Sequence, residues 1–164
     1  MILILTIGKI LIPIAATSAA QPGSDDHVLT LCHMLANRIG KAFATELESQ
    51  DMTVAEWRVL LTLAQHQNAS GQEITGHWAM DKMAINRAIK NLERREHIKK
   101  ERSKADRRTI KLQLTVRGRK MYDDLLPMAN DRYHALLSGL DKKEEKQLRQ
   151  TLLKMIAHTD SLID

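Results

Sequence analysis

Apolar residues recur every three or four positions along most of this chain, which is the spacing of one face of an α-helix. The first such stripe follows Asp25 and Asp26, either of which can cap a helix that ends near Ser49. Its members are Val28, Leu31, Leu35, Ile39, Phe43 and Leu47. Similar stripes predict a second helix that ends near His66 and two long helices within residues 116–164. The chain is therefore predicted to be mostly α-helical.

Local start and stop signals divide the middle of the chain into short elements. Thr53-Val54-Ala55-Glu56 has the form of a capping box, in which the threonine and the glutamate each bind a free backbone amide. The polar composition of residues 67–71 predicts a loop. A short helix is predicted from about Gln72 to Trp78, followed by a turn at Ala79-Met80. Asp81 is then placed to cap a basic helix over 82–95, whose buried stripe is Ile85, Ile89 and Leu92.

After the basic helix the period of the pattern changes from helical to alternating. Residues 98–102 are predicted to form one strand and 109–115 a second, half-buried strand, with the basic loop 103–108 between them. Short helix, turn, basic helix, strand, loop and strand, in that order over Glu73–Leu114, describe a winged helix-turn-helix. That unit places one helix in the DNA major groove and a loop beside it.

Charge supports a polyanion as the partner of this region. The chain has 164 residues and a net charge of +5, but residues 82–120 contain fifteen Lys and Arg against four Asp and Glu. The rest of the chain is net acidic, so a basic face lies on an acidic body. The composition alone would also allow RNA or a membrane surface as the partner. The winged helix-turn-helix pattern favours double-stranded DNA.

Several other classes of function find no support in the sequence. Phosphate-cradling glycine loops, nucleophile elbows and histidine pairs at metal-ligand spacing are all missing, so we predict neither an enzyme nor a cofactor or metal site. The lone cysteine, Cys32, excludes an intrachain disulfide and favours a reducing, cytoplasmic compartment.

The chain is predicted to have three parts. A winged helix-turn-helix domain covers residues 53–115, and dimerisation helices cover 25–52 and 116–164, because the end helices have more apolar surface than one small domain can cover. Residues 1–24 form an apolar arm, which either packs against a partner subunit or is a start-site artefact. The arm also resembles a secretory signal, because its apolar run ends in the small residues Ser18-Ala19-Ala20, although no basic leader precedes the run.

From about Val28 onward, the chain resembles the MarR family of bacterial transcription regulators. Three segments carry the resemblance, in the family's order and spacing: TVAEWRVLLTL, MDKMAINRAIKNLERR and DRRTIKLQLTVRGR. The resemblance implies a homodimer that binds a palindromic operator, usually as a repressor, and that a small molecule or an oxidant releases. One departure is Glu96, where the family usually has a glycine that ends the recognition helix in a left-handed conformation.

Candidate DNA-binding residues lie on the basic helix and in the loop. On the helix they are the side chains largely off the buried stripe, namely Lys82, Met83, Asn86, Arg87 and Lys90. In the loop they are Lys104, Asp106, Arg107 and Arg108. By resemblance, Arg108 is the wing-tip arginine that enters the minor groove, and Asp106 is the carboxylate that holds it.

The resemblance also implies an effector pocket between the dimerisation helices and the winged domain. Candidate lining residues are His33, Asn37, Arg38, Trp57 and Arg58, and the arginines would suit an anionic aromatic or acyl-coenzyme A ligand. Two alternatives remain open. Cys32 could make the protein an oxidant-sensing repressor, and the apolar N-terminus could belong to an exported binding protein.

Overall fold

Six helices and two antiparallel strand pairs make up the described chain. The computed structural model describes residues 3–7, 10–14, 24, 27–102 and 108–163. The strands are β1 (Leu3–Ile7), β2 (Ile10–Ile14), β3 (Ile98–Arg102) and β4 (Ile110–Leu114). The helices are α1 (Val28–Glu48), α2 (Val54–Gln65), α3 (Gly71–Trp78), α4 (Lys82–Arg94), α5 (Val116–Leu137) and α6 (Lys142–Ile163). This is the predicted fold class, a mostly helical chain with a small β-wing.

The N-terminal arm contains a β-hairpin. β1 pairs with β2 in antiparallel register, from Leu3 opposite Ile14 to Ile7 opposite Ile10. The three predictions for this arm (dimer contact, start-site artefact or signal) stay predictions. No helix among the described residues is long and apolar enough to cross a membrane.

Side-chain caps set most helix starts as predicted, with one error and one omission. Thr53 and Glu56 form the predicted capping box of α2. α1, however, is capped by His27, whose Nδ1 accepts from the Leu29 amide at 3.3 Å. The assignment of that cap to Asp25 or Asp26, which lie outside the described residues, was therefore wrong. α3 begins with a second capping box, Ser70 with Glu73, in a stretch interpreted as loop.

The core of the winged domain is built around α2. Val59, Leu60 and Leu63 of α2 are almost fully buried, and they are joined by Ile85 and Leu92 of α4. The same cluster includes Leu112 of β4 and Tyr122, Leu125 and Ala129 of α5. Burying this apolar surface is what holds α4 and the wing on one body.

The helices at the two ends leave apolar side chains in solvent. In α1 only Phe43 and Leu47 of the predicted stripe are buried, whereas Val28 is 56% exposed and Leu35 is 52% exposed. In α6 every described side chain over residues 142–159 is exposed except half-buried Met155, and Ile156 is 59% exposed. The apolar ends of the chain are thus open to a partner.

Candidate nucleic-acid interface

A short turn with one left-handed residue, Ala79, joins α3 to α4. Ala79 has φ 47° and ψ 39°, and the Met80 amide donates to the carbonyl of Thr75 at 3.3 Å. Asp81 then caps α4 by accepting from the Ala84 amide at 2.9 Å, as the sequence predicts. These local bonds fix where the basic helix begins, and they form a helix-turn-helix.

α4 separates an apolar face from a polar one. Ile85, Ala88, Ile89 and Leu92 are buried against the core. The five predicted DNA-contacting residues of this helix (Lys82, Met83, Asn86, Arg87 and Lys90) are all exposed, and Met83 is 64% exposed. Their spacing puts them along one side of the helix. The result is a continuous outward strip with three cations and an amide that can bind phosphates and base edges.

A cleft runs beside the start of this strip. It has a volume of about 340 Å³ and is lined by Gly71, Gln72 and Thr75 of α3 with Lys82 and Asn86 of α4. The Lys82 ammonium at this cleft is a group that binds anions well. The cleft therefore offers a cation to a phosphate next to the groove that α4 would enter.

α4 ends in the left-handed shape that usually calls for glycine, although the residue is Glu96. Its φ is 59°, its amide donates to the Glu93 carbonyl at 2.9 Å, and the next amide, of His97, donates to Leu92 at 2.9 Å. These two bonds are the Schellman motif. The chain thus makes this left-handed turn with a residue that has a Cβ.

The wing is anchored to the start of α3. β3 and β4 pair from Ile98 opposite Leu114 to Arg102 opposite Ile110. The Leu112 amide donates to the carbonyl of Ala69 at 2.9 Å, and Lys111 Nζ lies 3.0 Å from Glu73 Oε2. Hydrogen bonds from Ser70, followed by the contact with Lys111, lower the pKa of Glu73 to about 2. These contacts tie the wing to the helix-turn-helix.

Most of the predicted wing-tip residues are outside the part of the chain that the structure describes. Lys104, Asp106 and Arg107 lie outside the described residues. Arg108 is described and exposed, immediately before Thr109 and β4. The predicted roles of these four residues in DNA binding stay predictions.

A buried histidine and a glycine close the base of the wing. Thr115 caps α5, and its amide donates to the His97 carbonyl at 3.0 Å. A Cβ on Gly118 would lie 1.8 Å from that same carbonyl oxygen. His97 is only 4% exposed, and burial, together with Arg95 and Arg117 nearby, lowers its pKa below the ordinary value. Nothing in the sequence pattern singled out His97.

The predicted effector residues have separate surroundings in the structure. His33, Asn37 and Arg38 are exposed on α1. Trp57 is buried and stacks on Tyr122 of α5, with ring centres 5.6 Å apart. Arg58 points instead to α3, with its guanidinium 5.0 Å from the ring centre of Trp78. Their role in ligand binding stays a prediction.

Cys32 is half-buried on α1. Within the described part of the chain, no group of three or more His, Cys, Asp and Glu side chains could hold a metal ion.

Comparisons with known proteins agree with this geometry. A family model described as transcriptional regulator SarA/Rot matches residues 41–125. The transcriptional repressor MprA of Escherichia coli K12 is 28% identical over 134 residues, covering 80% of this chain and 76% of that protein. A MarR/EmrR family transcriptional regulator from Acinetobacter sp. ADP1 superposes with a TM-score of 0.77 at 28% identity, covering 84% of this chain and 97% of the other.

A second structure is less similar in sequence but has the same fold. It is Bordetella bronchiseptica BpsR, whose DNA binding is regulated by 6-hydroxynicotinic acid. It superposes with a TM-score of 0.70 at 24% identity, covering 78% of this chain and 97% of that one. MprA and the Acinetobacter protein are transcriptional regulators, which is the class of function that the sequence predicts for this chain.

Proposed function

We propose that this chain, which belongs to the MarR family of DNA-binding transcriptional regulators and has a winged-helix domain of the SarA/Rot type, is a cytoplasmic repressor that binds a palindromic operator as a homodimer. The observation that carries the proposal is the exposed strip of α4, whose cations and amide face away from the core. The repressor assignment is supported by the likeness to MprA.

The apolar ends of the chain support the homodimer. Leu148, Leu152 and Ile156 form a stripe on α6, a helix that has no buried residue among those described. A helix with an uncovered apolar stripe gains little stability from its own chain and needs a partner surface. α1 presents Val28, Leu31 and Leu35 in the same exposed state. A second copy supplies both surfaces under one symmetry axis.

Dimerisation is tested by light scattering coupled to size-exclusion chromatography. The wild type should have twice the mass of the 18.6 kDa chain. Leu152→Lys puts a charge on the apolar stripe and should shift the equilibrium towards monomer. Gln150→Lys adds the same charge on the opposite side of α6 and serves as the control. A monomeric wild type would contradict the proposal.

DNA recognition is tested by selecting bound duplexes from a random pool and measuring affinities by fluorescence anisotropy. The selected duplex should be two-fold symmetric, with half-sites about 34 Å or one helical turn apart. Lys90→Ala and Asn86→Ala should each weaken binding to it, whereas Lys146→Ala on α6 should not. Equal affinity for the selected and a scrambled duplex at about 150 mM salt would contradict sequence-specific binding and would support general DNA binding instead.

We further propose that a small anion releases the protein from its operator. His33 and Arg38, both exposed on α1, supply groups that bind a carboxylate, and 6-hydroxynicotinic acid, which regulates BpsR, is an aromatic carboxylate. The ligand must bind more tightly to the form that does not bind DNA. A ligand with equal affinity for both forms would not change the equilibrium between them.

The release is tested by thermal-shift screening of aromatic acids and their coenzyme A esters, followed by anisotropy with the selected duplex. A compound that stabilises the protein should also raise the Kd for DNA. Release by hydroperoxide that is lost in Cys32→Ser would support the oxidant-sensing alternative instead. Release that persists in this variant would exclude it.

A further inference from the structure

Arg58 does not lie on the DNA-facing strip, yet it contacts the turn from which that strip begins. It is half-buried on α2, and its guanidinium lies 5.0 Å from the ring centre of Trp78, the last residue of α3. Its Nη1 also donates to the sulfur of Met80 at 3.0 Å. One side chain of α2 therefore contacts both sides of the left-handed residue, Ala79.

A second contact with α2 fixes the other end of the Trp78 ring. The indole Nε1 donates to the hydroxyl of Thr62 at 2.8 Å, and that hydroxyl donates to the carbonyl of Arg58 at 2.8 Å. Thr62 is only 5% exposed, so the hydrogen bond to it is shielded from water. The ring is thus held over its face by Arg58 and at its edge by Thr62.

The turn needs such support because of the residues it contains. Ala79 is in the left-handed region at φ 47°, which a residue with a Cβ enters only at a cost in free energy. Flanking contacts therefore have to favour this conformation over others. The contacts of Arg58 with Trp78 and Met80, on either side of Ala79, favour the shape that the turn has here.

We propose that Arg58 is a positioning residue, which sets the direction of α4 relative to the core through Trp78 and Met80. This inference rests on the proposed DNA-binding function of α4. A helix of 13 residues is about 20 Å long, so a tilt of about 10° at the turn would move its far end by about 3 Å. Such a displacement breaks the hydrogen bonds that read bases, whereas loose phosphate contacts tolerate it.

The test compares Arg58→Met with Arg119→Met. Arg119 also lies over an aromatic ring, 5.5 Å from the ring centre of Tyr122, but on α5 and away from the turn. Arg58→Lys is the conservative variant, because an ammonium can also bind the face of a ring. The wild-type protein and all variants are measured for the melting temperature, for amide hydrogen exchange, and for affinity to the selected and scrambled duplexes.

Arg58→Met should lose about tenfold or more in affinity for the selected duplex and less than about threefold for the scrambled one. Amides over residues 79–85 should exchange faster, while those of β4 should not change. Arg58→Lys should recover part of both, and Arg119→Met should resemble the wild type. If Arg58→Met does not fold, Thr62→Val, which removes the acceptor for Trp78, is expected to give the same two changes.

An unchanged duplex preference together with unchanged exchange at the turn would overturn the proposal. Equal losses for both duplexes, matched by Arg119→Met, would also overturn it, since they would show only a contribution to general stability. If the wild type itself did not distinguish the two duplexes, the proposed function would fail. The exchange at residues 79–85 would still decide whether Arg58 holds the turn.

Discussion

Replacing Glu96 with glycine should stabilise the protein, because Glu96 occupies a left-handed position that favours a residue without Cβ. The left-handed conformation costs a residue with a Cβ about 1–2 kcal/mol. Glycine offsets part of this gain, since its unfolded chain is freer by about 0.5–1 kcal/mol. The Glu96–Arg117 ion pair at 3.6 Å joins two exposed side chains, so losing it costs about 0.5 kcal/mol at most.

The expected net gain is about 0.5 kcal/mol, which corresponds to an increase in melting temperature of about 1–2 °C for a chain of this size. Chemical denaturation at one fixed protein concentration measures the free energy, because a dimer's stability depends on concentration. Glu96→Ala is the control, since it removes the ion pair and keeps the Cβ, and it should not stabilise. A loss of stability in Glu96→Gly, or an equal gain in Glu96→Ala, would refute the assignment of strain to this position.

Three further predictions concern the wing and its base. Gly118→Ala should destabilise the fold by about 3 kcal/mol, because its Cβ would collide with the His97 carbonyl, and a melting temperature close to the wild type in a thermal scan would contradict this. Arg108→Ala should weaken binding to the selected duplex by about tenfold or more without changing the melting temperature, and unchanged affinity would exclude Arg108 as the wing-tip contact. Acidification should destabilise the protein, because the pKa of His97 is lower in the folded than in the unfolded state. The contribution of His97 to the free energy of unfolding is complete above the ordinary histidine pKa of 6.5 and is lost as the pH falls towards the folded-state pKa. Denaturation midpoints at pH 5–7 check this, and a His97→Gln variant should lack that step.

Where the sequence predicted structure well, the chemistry was local. Thr53 and Asp81 each cap a helix through groups within three residues of them, so a short stretch of sequence is enough to predict the cap. Ser70 and Glu73 have the same spacing and were missed, because the polar composition of 67–71 was interpreted as loop. At α1 the N-cap preference favours Asp25 and Asp26 over His27, so that preference alone predicted the wrong cap.

Contacts between distant elements were beyond the sequence pattern. Arg58 and Met80 are 22 positions apart, and only the packing of α2 on the turn brings them together. For the same reason Arg58 was grouped with residues of α1 as an effector contact, although its guanidinium lies on Trp78. The apolar stripe of α1 was predicted correctly as a pattern, but the pattern alone could not show that only Phe43 and Leu47 of it are buried.

α5 links the wing to the apolar end of the chain as one helix. Its first turn is fixed at the wing base by Thr115 and Gly118, and its middle is buried through Tyr122, Leu125 and Ala129. Its last turn leaves Leu136 exposed, and Arg132 forms an ion pair with Glu46 of α1. With 22 residues it spans about 33 Å. Because Tyr122 stacks on Trp57 of α2, a shift at the C-terminal end of α5 is expected to shift the winged domain as well. In the proposed homodimer, a ligand that changes how the two copies pack would therefore change the distance between their α4 helices, on which binding to two half-sites depends.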